Sequence, residues 1–189
     1  MTALSWENGV VRAVRADEWK NARELRLDAL RDPVAHLAFM ETYQDAVSRP
    51  DSFWQERVER AAAGVHGVRQ FVAETHDGRW VGTVTVLVEE AGATDWAGLP
   101  VERRQGHAVA VYVRPECRGS GVIDALFEAV SEWSWQRGLE RVRLLVHRDN
   151  QRARAAYGRL GFLPTGVTMS LVEGEETDAE LELARERAA

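Results

Sequence analysis

An apolar, β-rich run at 107–113, HAVAVYV, passes through Arg114 and Pro115, then Gly119-Ser120-Gly121, straight into an amphipathic stretch beginning at Val122. Two glycines around Ser120 let the backbone turn sharply and leave its N–H groups uncovered by side chains. A helix starting there aims those groups, with about half a positive charge of macrodipole, at whatever lies in front. The segment predicts a strand, a turn and a helix with an anion-favouring mouth between them.

The flanking segments set the fold class. VVRAVRADEW at 10–19 predicts a short strand, then a turn at Ala16–Asp17. A helix then places Ala22, Leu25, Leu27, Ala29 and Leu30 on one apolar face until Pro33 closes it. Residues 34–50 read as a helical turn and a loop. In the next helical stretch, 50–64, Ser52 and Gln55 have capping-box spacing and Gly64 supplies a stop. Two β-rich runs between 68 and 90 flank Asp77-Gly78, a hairpin signal. A long loop is predicted over 89–105.

The helix after Gly121 puts Val122, Ile123, Leu126, Phe127, Val130 and Trp133 on one side and ends before Gly138. RVRLLVH (141–147) predicts a buried strand, and NQRARAAYGRLGF (150–162) a short helix whose C-cap is Gly161. GVTMSL and AELELA predict two closing strands around a loop at 173–178, although the second also reads as helix. This order predicts an α+β fold: a single mixed, mostly antiparallel central sheet flanked by helices.

Composition narrows the classes of partner. A chain of 189 residues suits one domain spanning 1–189, and buries ~70% of its unfolded surface without needing a metal or a disulfide. Cys117 is the only cysteine, which predicts a reducing, cytoplasmic setting and no multi-cysteine metal site. The N-terminal stretch has no signal-peptide pattern, and no run reaches the ~20 apolar residues of a membrane span. A net charge of −6 disfavours nucleic acid as a partner. A homodimer is left open.

Two separated segments carry a family likeness. VYVRPECRGSGVIDAL resembles the acyl-CoA loop of the GNAT N-acetyltransferase superfamily, whose pattern is Arg/Gln-x-x-Gly-x-Gly/Ala. Arg118 and Gly121 fill its first two fixed positions, and Ile123 departs from the third. NQRARAAYGRLGF resembles the family's Asn-x-x-Ala-x-x-x-Tyr-x-x-x-Gly-Phe helix, matched at Asn150, Ala153, Tyr157, Gly161 and Phe162. A dinucleotide loop would need a small residue where Asp124 stands, and a Walker A loop would need Gly-Lys-Ser/Thr.

The resemblance implies acetyl-CoA as co-substrate, a primary amine as acceptor, and direct transfer between them. Its pyrophosphate would lie across the N–H groups of Gly119, Ser120, Gly121, Val122, Ile123 and Asp124, with Arg118 beside it. The pantetheine arm would run along Val111, Tyr112 and Val113, where strand 107–113 splits from strand 142–147, and Asn150 would bond the arm. Tyr157 would donate a hydrogen bond to the departing thiolate. The family's glutamate on the strand before the Asn helix is replaced by Leu145. Glu102, Gln105 and His107 stand near the family's other base position, and His107 has a suitable ordinary pKa. One of Arg148, Arg152 and Arg154 would reach the nucleotide 3′-phosphate.

By elimination, helices within 17–63 and the loop 89–105 would build the acceptor pocket, with Trp54, Trp96, Glu89, Glu90 and Asp95 framing the amine. A non-catalytic acyl-CoA sensor on the same fold is the competing reading.

Overall fold

Seven strands hydrogen-bond into one sheet in the computed structural model, which describes residues 6, 9–62, 67–95, 98–170 and 179–188. They are β1 (Val10–Ala13), β2 (Val68–Glu74), β3 (Trp80–Glu89), β4 (Gln105–Val113), β5 (Arg141–His147), β6 (Leu163–Ser170) and β7 (Ala179–Glu186). Their order is β1-β2-β3-β4-β5-β7-β6, every neighbouring pair antiparallel except β4 and β5. The parallel pair requires a crossover, supplied by α4 (Val122–Gln136). The stretch 179–186 is strand rather than helix because it pairs with β5 on one side and β6 on the other. Gly64 and the loop 173–178 lie outside the described residues.

Strand periodicity assigns the two faces. Val84, Val86, Ala108, Val142 and Leu144 face α4, whose Leu126, Phe127 and Val130 complete the larger core. α5 (Gln151–Arg159) covers the same face through Tyr157. On the other face Val72 and Tyr112 pack beneath Leu25 and Ala29 of α1 (Trp19–Leu30) and Val58 of α3 (Asp51–Ala61).

Local signals differ from expectation in two places. The predicted box at Ser52 does not cap α3: the helix starts at Asp51, so Ser52 already lies within its first turn. A capping box exists instead at the short α2 (Tyr43–Ser48), where the Asp45 N–H donates to Thr42 Oγ1 at 3.2 Å and the Thr42 N–H donates to Asp45 Oδ2 at 3.3 Å. The Asp77-Gly78 hairpin is present, but its loop is wider than a two-residue turn, closed by the Thr75 N–H donating to Arg79 O at 2.9 Å. α5 ends as expected, with Phe162 N–H donating to Tyr157 O and Gly161 N–H to Gly158 O.

Candidate active site

β4 and β5 pair over only three residue pairs, Gly106 with Val142, His107 with Arg143 and Ala108 with Leu144. The cause lies on the opposite edge of β4. Thr83 faces Tyr112 but Thr85 faces Val109, so one extra residue sits in β4, and Ala110 adopts φ +53°. The bulge bends β4 away from β5, and past Ala108 the strand edge facing β5 has no ladder partner.

A cleft of about 350 Å³ fills the gap. Val111, Tyr112 and Val113 form one wall, and Asn150, Ala153 and Tyr157 of the α5 segment form the other. A 3-10 turn at Ala35–Leu37 lies over it through Ala35. Arg118, Gly119 and Ile123 stand at its end.

That end is the predicted turn. Gly119 and Gly121 have φ of +77° and +88°, a left-handed conformation that favours glycine, and a Cβ on either would meet nothing within 4 Å. Gly121 caps α4 without a side chain. Among the described residues, no N–H from Gly119 through Asp124 donates a hydrogen bond to the protein; the first bonded amide is Ala125, to Gly121 O at 3.0 Å. The Ser120 hydroxyl is turned to Cys117 O at 2.6 Å. Asp124 is exposed in a separate groove with Glu128, so its charge is off the cleft. Ile123, the motif departure, contributes its side chain to the cleft wall and packs on the core.

Arg118 is held rather than free. Its Nε donates to Val113 O at 3.0 Å and its Nη2 to the carboxylate of Asp32, itself buried. Burial alone would raise the Asp32 pKa, but bonds from Arg118 and the Val34 N–H hold it below the usual value. Of the three downstream arginines, Arg152 lines the cleft, whereas Arg154 donates to Arg148 O at 2.9 Å on the outside. Asn150 is the N-cap of α5, accepting from Ala153 N–H at 3.2 Å through Oδ1, which leaves its amide NH₂ as a donor. Burial raises the Cys117 thiol pKa, so it has no thiolate character at neutral pH.

Tyr157 is buried, its ring edge-on to Phe127 at 5.5 Å and Phe162 at 6.2 Å. Desolvation, reinforced by the charge of Glu180, pushes its pKa well above that of an ordinary phenol. It is a neutral hydroxyl at any working pH.

The expected base does not reach the cleft. His107 is 1% exposed and its Nδ1 lies 2.9 Å from Glu89 Oε1 on the other face of β4. Glu89 and Asp95 do not frame an amine either, because both carboxylates bind Arg143, at 2.8 and 2.7 Å. Glu90 pairs with Arg104 at 3.0 Å, and Glu102 is exposed. Glu89, Glu90, Asp95 and His107 are each engaged by partners that strands and a loop bring near only in the fold. Trp96 lies outside the described residues. Trp54 does line a second, narrower pocket beneath α1 and α3, together with Arg26 and Arg57, over the bulged Ala110. Tyr112 and Phe39 line both spaces. No sequence signal marked the bulge, Asp32 or these arginines.

A family model described as "Acetyltransferase (GNAT) family" matches residues 19–162, a span running from α1 through the end of α5. The chain belongs to the GNAT acetyltransferase family. A curated relative, a mycothiol acetyltransferase from Saccharomonospora viridis, is 36% identical over 104 residues, 55% of this chain and 33% of the relative. The match thus spans about a third of that relative's length. A GNAT-family acetyltransferase structure from Streptococcus pneumoniae superposes with a TM-score of 0.72 at 14% identity, covering 95% of this chain and 99% of that one. The PaiA N-acetyltransferase of Thermoplasma acidophilum, solved in complex with coenzyme A, gives 0.67 at 14% identity, covering 93% and 98%. These two likenesses establish the GNAT fold. Among the described residues, no helix is long and apolar enough to cross a membrane.

Proposed function

We propose that this chain transfers the acetyl group of acetyl-CoA directly to a primary amine. The observation that carries the reading is the continuity between a strand edge without ladder partners, Val111 to Val113, and six successive unbonded amides, Gly119 to Asp124. The first suits an extended arm bearing amides; the second suits a pyrophosphate at a helix N-terminus. Arg152 supplies cationic charge at the cleft, and Arg118, tied to Asp32, shapes its wall.

In the transfer a C–N bond forms, the C–S bond breaks, and the amine's proton is finally balanced on the thiolate or in water. Tyr157 is the group placed to assist the departing sulfur. A thiol (pKa ~8.5) is more acidic than a phenol (~10), and burial widens that gap, so full proton transfer from Tyr157 is uphill. Its role is a hydrogen bond that strengthens as charge grows on sulfur. Asp32 is the single carboxylate in the described cleft lining, and its bond to Arg118 occupies it. No side chain is therefore assigned as base, and the amine loses its proton to water.

Two measurements test the reading. Acetyl-CoA at 100 times its Kd stabilises the fold by about 2.7 kcal/mol, while NADH and ATP do much less. Free thiol then appears when acetyl-CoA and a panel of amines are supplied together. Equal shifts from all three nucleotides overturn the acyl-CoA assignment. Binding without thiol release from any amine identifies a sensor instead.

A further inference from the structure

Tyr112 carries a hydroxyl that the fold does not use. Its ring belongs to the core beneath α1 and α3, packed in the cluster that holds Leu25, Ala29 and Val58, and the residue is only 8% exposed. The hydroxyl makes no hydrogen bond among the described residues. Nor is it sealed in the core, as the unbonded indole N–H groups of Trp54 and Trp133 are. It therefore faces an opening.

Two spaces touch Tyr112, and the charges around the phenol tell them apart. The pocket beneath α1 and α3 holds about 20 Å³, room for about one water molecule. The charges that act on the phenol are those of Asp32, Arg114, Arg118 and Asp28. None of the four lines that pocket, whereas Asp32 and Arg118 line the cleft. The Arg118 guanidinium also lies 5.9 Å from the centre of the Tyr112 ring. The hydroxyl thus opens on the cleft, at the end where the loop of Gly119 begins. Its polar neighbours there are already matched: Arg118 and the Val34 N–H donate to Asp32, and Arg114 donates to Asp28 at 2.7 Å. Burial, reinforced by the charge of Asp32, raises the Tyr112 pKa and keeps the group a donor. A ring already fixed by packing loses little freedom when such a donor takes a ligand oxygen.

From this geometry we infer that the Tyr112 side chain is a further binding residue for the acyl donor, its hydroxyl donating a hydrogen bond to an oxygen of bound acyl-CoA. The inference rests on the acyl-CoA reading of the cleft and adds to it a side chain that neither motif marks. Phosphate oxygens and the carbonyl and hydroxyl oxygens of the arm share the chemistry of an acceptor, and the choice of donor substrate separates them.

The test measures, by calorimetry on the full chain, the binding of acetyl-CoA and of S-acetylpantetheine, which has the arm but no phosphate. Without ligand, Tyr112→Phe melts within about 2 °C of wild type, because the lost oxygen had no partner in the protein. Its Kd for acetyl-CoA rises about three- to tenfold where the acceptor is a neutral oxygen of the arm, and more than about tenfold where it is a phosphate. S-Acetylpantetheine shows the same loss in the first case and none in the second. Tyr43→Phe, which removes a hydroxyl bonded to Arg31 away from the cleft, keeps wild-type affinity for both. With an amine that the protein acetylates, the Tyr112→Phe loss appears in the KM for acetyl-CoA and not in kcat, which separates Tyr112 from Tyr157. Unchanged affinity for acetyl-CoA in Tyr112→Phe overturns the inference and leaves acyl-CoA binding in place, as does a loss confined to kcat. A large fall in the unliganded Tm overturns it too, since the hydroxyl would then be bonded within the fold. Wild type that binds neither donor overturns both this inference and the acyl-CoA reading.

Discussion

Arg143 donates to Asp95 across 2.7 Å, tying β5 to the loop that joins β3 and β4. The same guanidinium reaches Glu89 at 2.8 and 2.9 Å and Glu182 at 2.9 Å, so three carboxylates from three segments converge on one cation. Burial by itself lowers the Arg143 pKa, but its bonds to Glu89 and Asp95 hold it above the usual arginine value. The side chains are nearly dry, with Arg143 3% and Asp95 1% exposed. Removing the cation strands several buried charges. Arg143→Met therefore destabilises the fold by about 3–5 kcal/mol, roughly 6–20 °C in Tm, measured by thermal or urea unfolding. A change below about 1 kcal/mol would show the cluster to be solvated.

The cluster also sets an acid limit. Burial alone would raise the Glu89 pKa, but bonds from His107 and Arg143 bring it from 4.5 down to about 2. A depressed carboxylate contributes stability that is complete above its unfolded pKa and lost as pH falls through its folded one. The window is therefore pH 4.5 to 2, and the gap corresponds to about 3 kcal/mol. Urea midpoints fall through that window in wild type. Glu89→Gln flattens part of the fall, while its stability at pH 7 is lower from the start. An unchanged acid limb would exclude Glu89 as a contributor.

Gly121→Ala tests the helix mouth. At φ +88° an L side chain is strained by about 1–2 kcal/mol, yet the added methyl group meets no atom within 4 Å. Stability falls by only a few degrees in Tm, whereas acetyl-CoA affinity falls further because the methyl projects into the space before the free amides. Normal affinity in this variant would place the pyrophosphate elsewhere.

Arg118→Ala breaks an ion pair whose carboxylate, Asp32, is 5% exposed. Its effect is thus on stability as well as affinity, a loss of about 1–3 kcal/mol. Adding Asp32→Asn restores part of that loss, because the stranded charge is gone, and a double-mutant cycle measures the coupling. Independent, additive losses would show that the pair is not formed in solution.

Tyr157→Phe removes one oxygen and keeps the ring against Phe127 and Phe162. The expected result is a fall in kcat on the order of 10²-fold with little change in acetyl-CoA affinity. Because its pKa lies far above 10, the wild-type rate shows no basic limb from tyrosine ionisation near pH 10. Wild-type turnover in the Phe variant, with an amine the parent acetylates, would remove Tyr157 from the mechanism.

What the sequence by itself determined was local. Gly119 and Gly121, the Asn150 cap and the Gly161 stop act through bonds within a few residues, so their chemistry is written in their spacing. The alternating strands and apolar helix faces likewise defined a mixed α+β sheet before any contact was known. The tertiary structure alone decided which distant groups meet. It inserted β7 between β5 and β6, turned Ala110 into a bulge that opens the cleft, and gathered Glu89, Asp95 and His107 into a buried cluster. It also brought Arg26, Trp54 and Arg57 together over that bulge. The physical reason is that burial and ion pairing depend on separation in space, and strand order sets that separation between residues far apart along the chain.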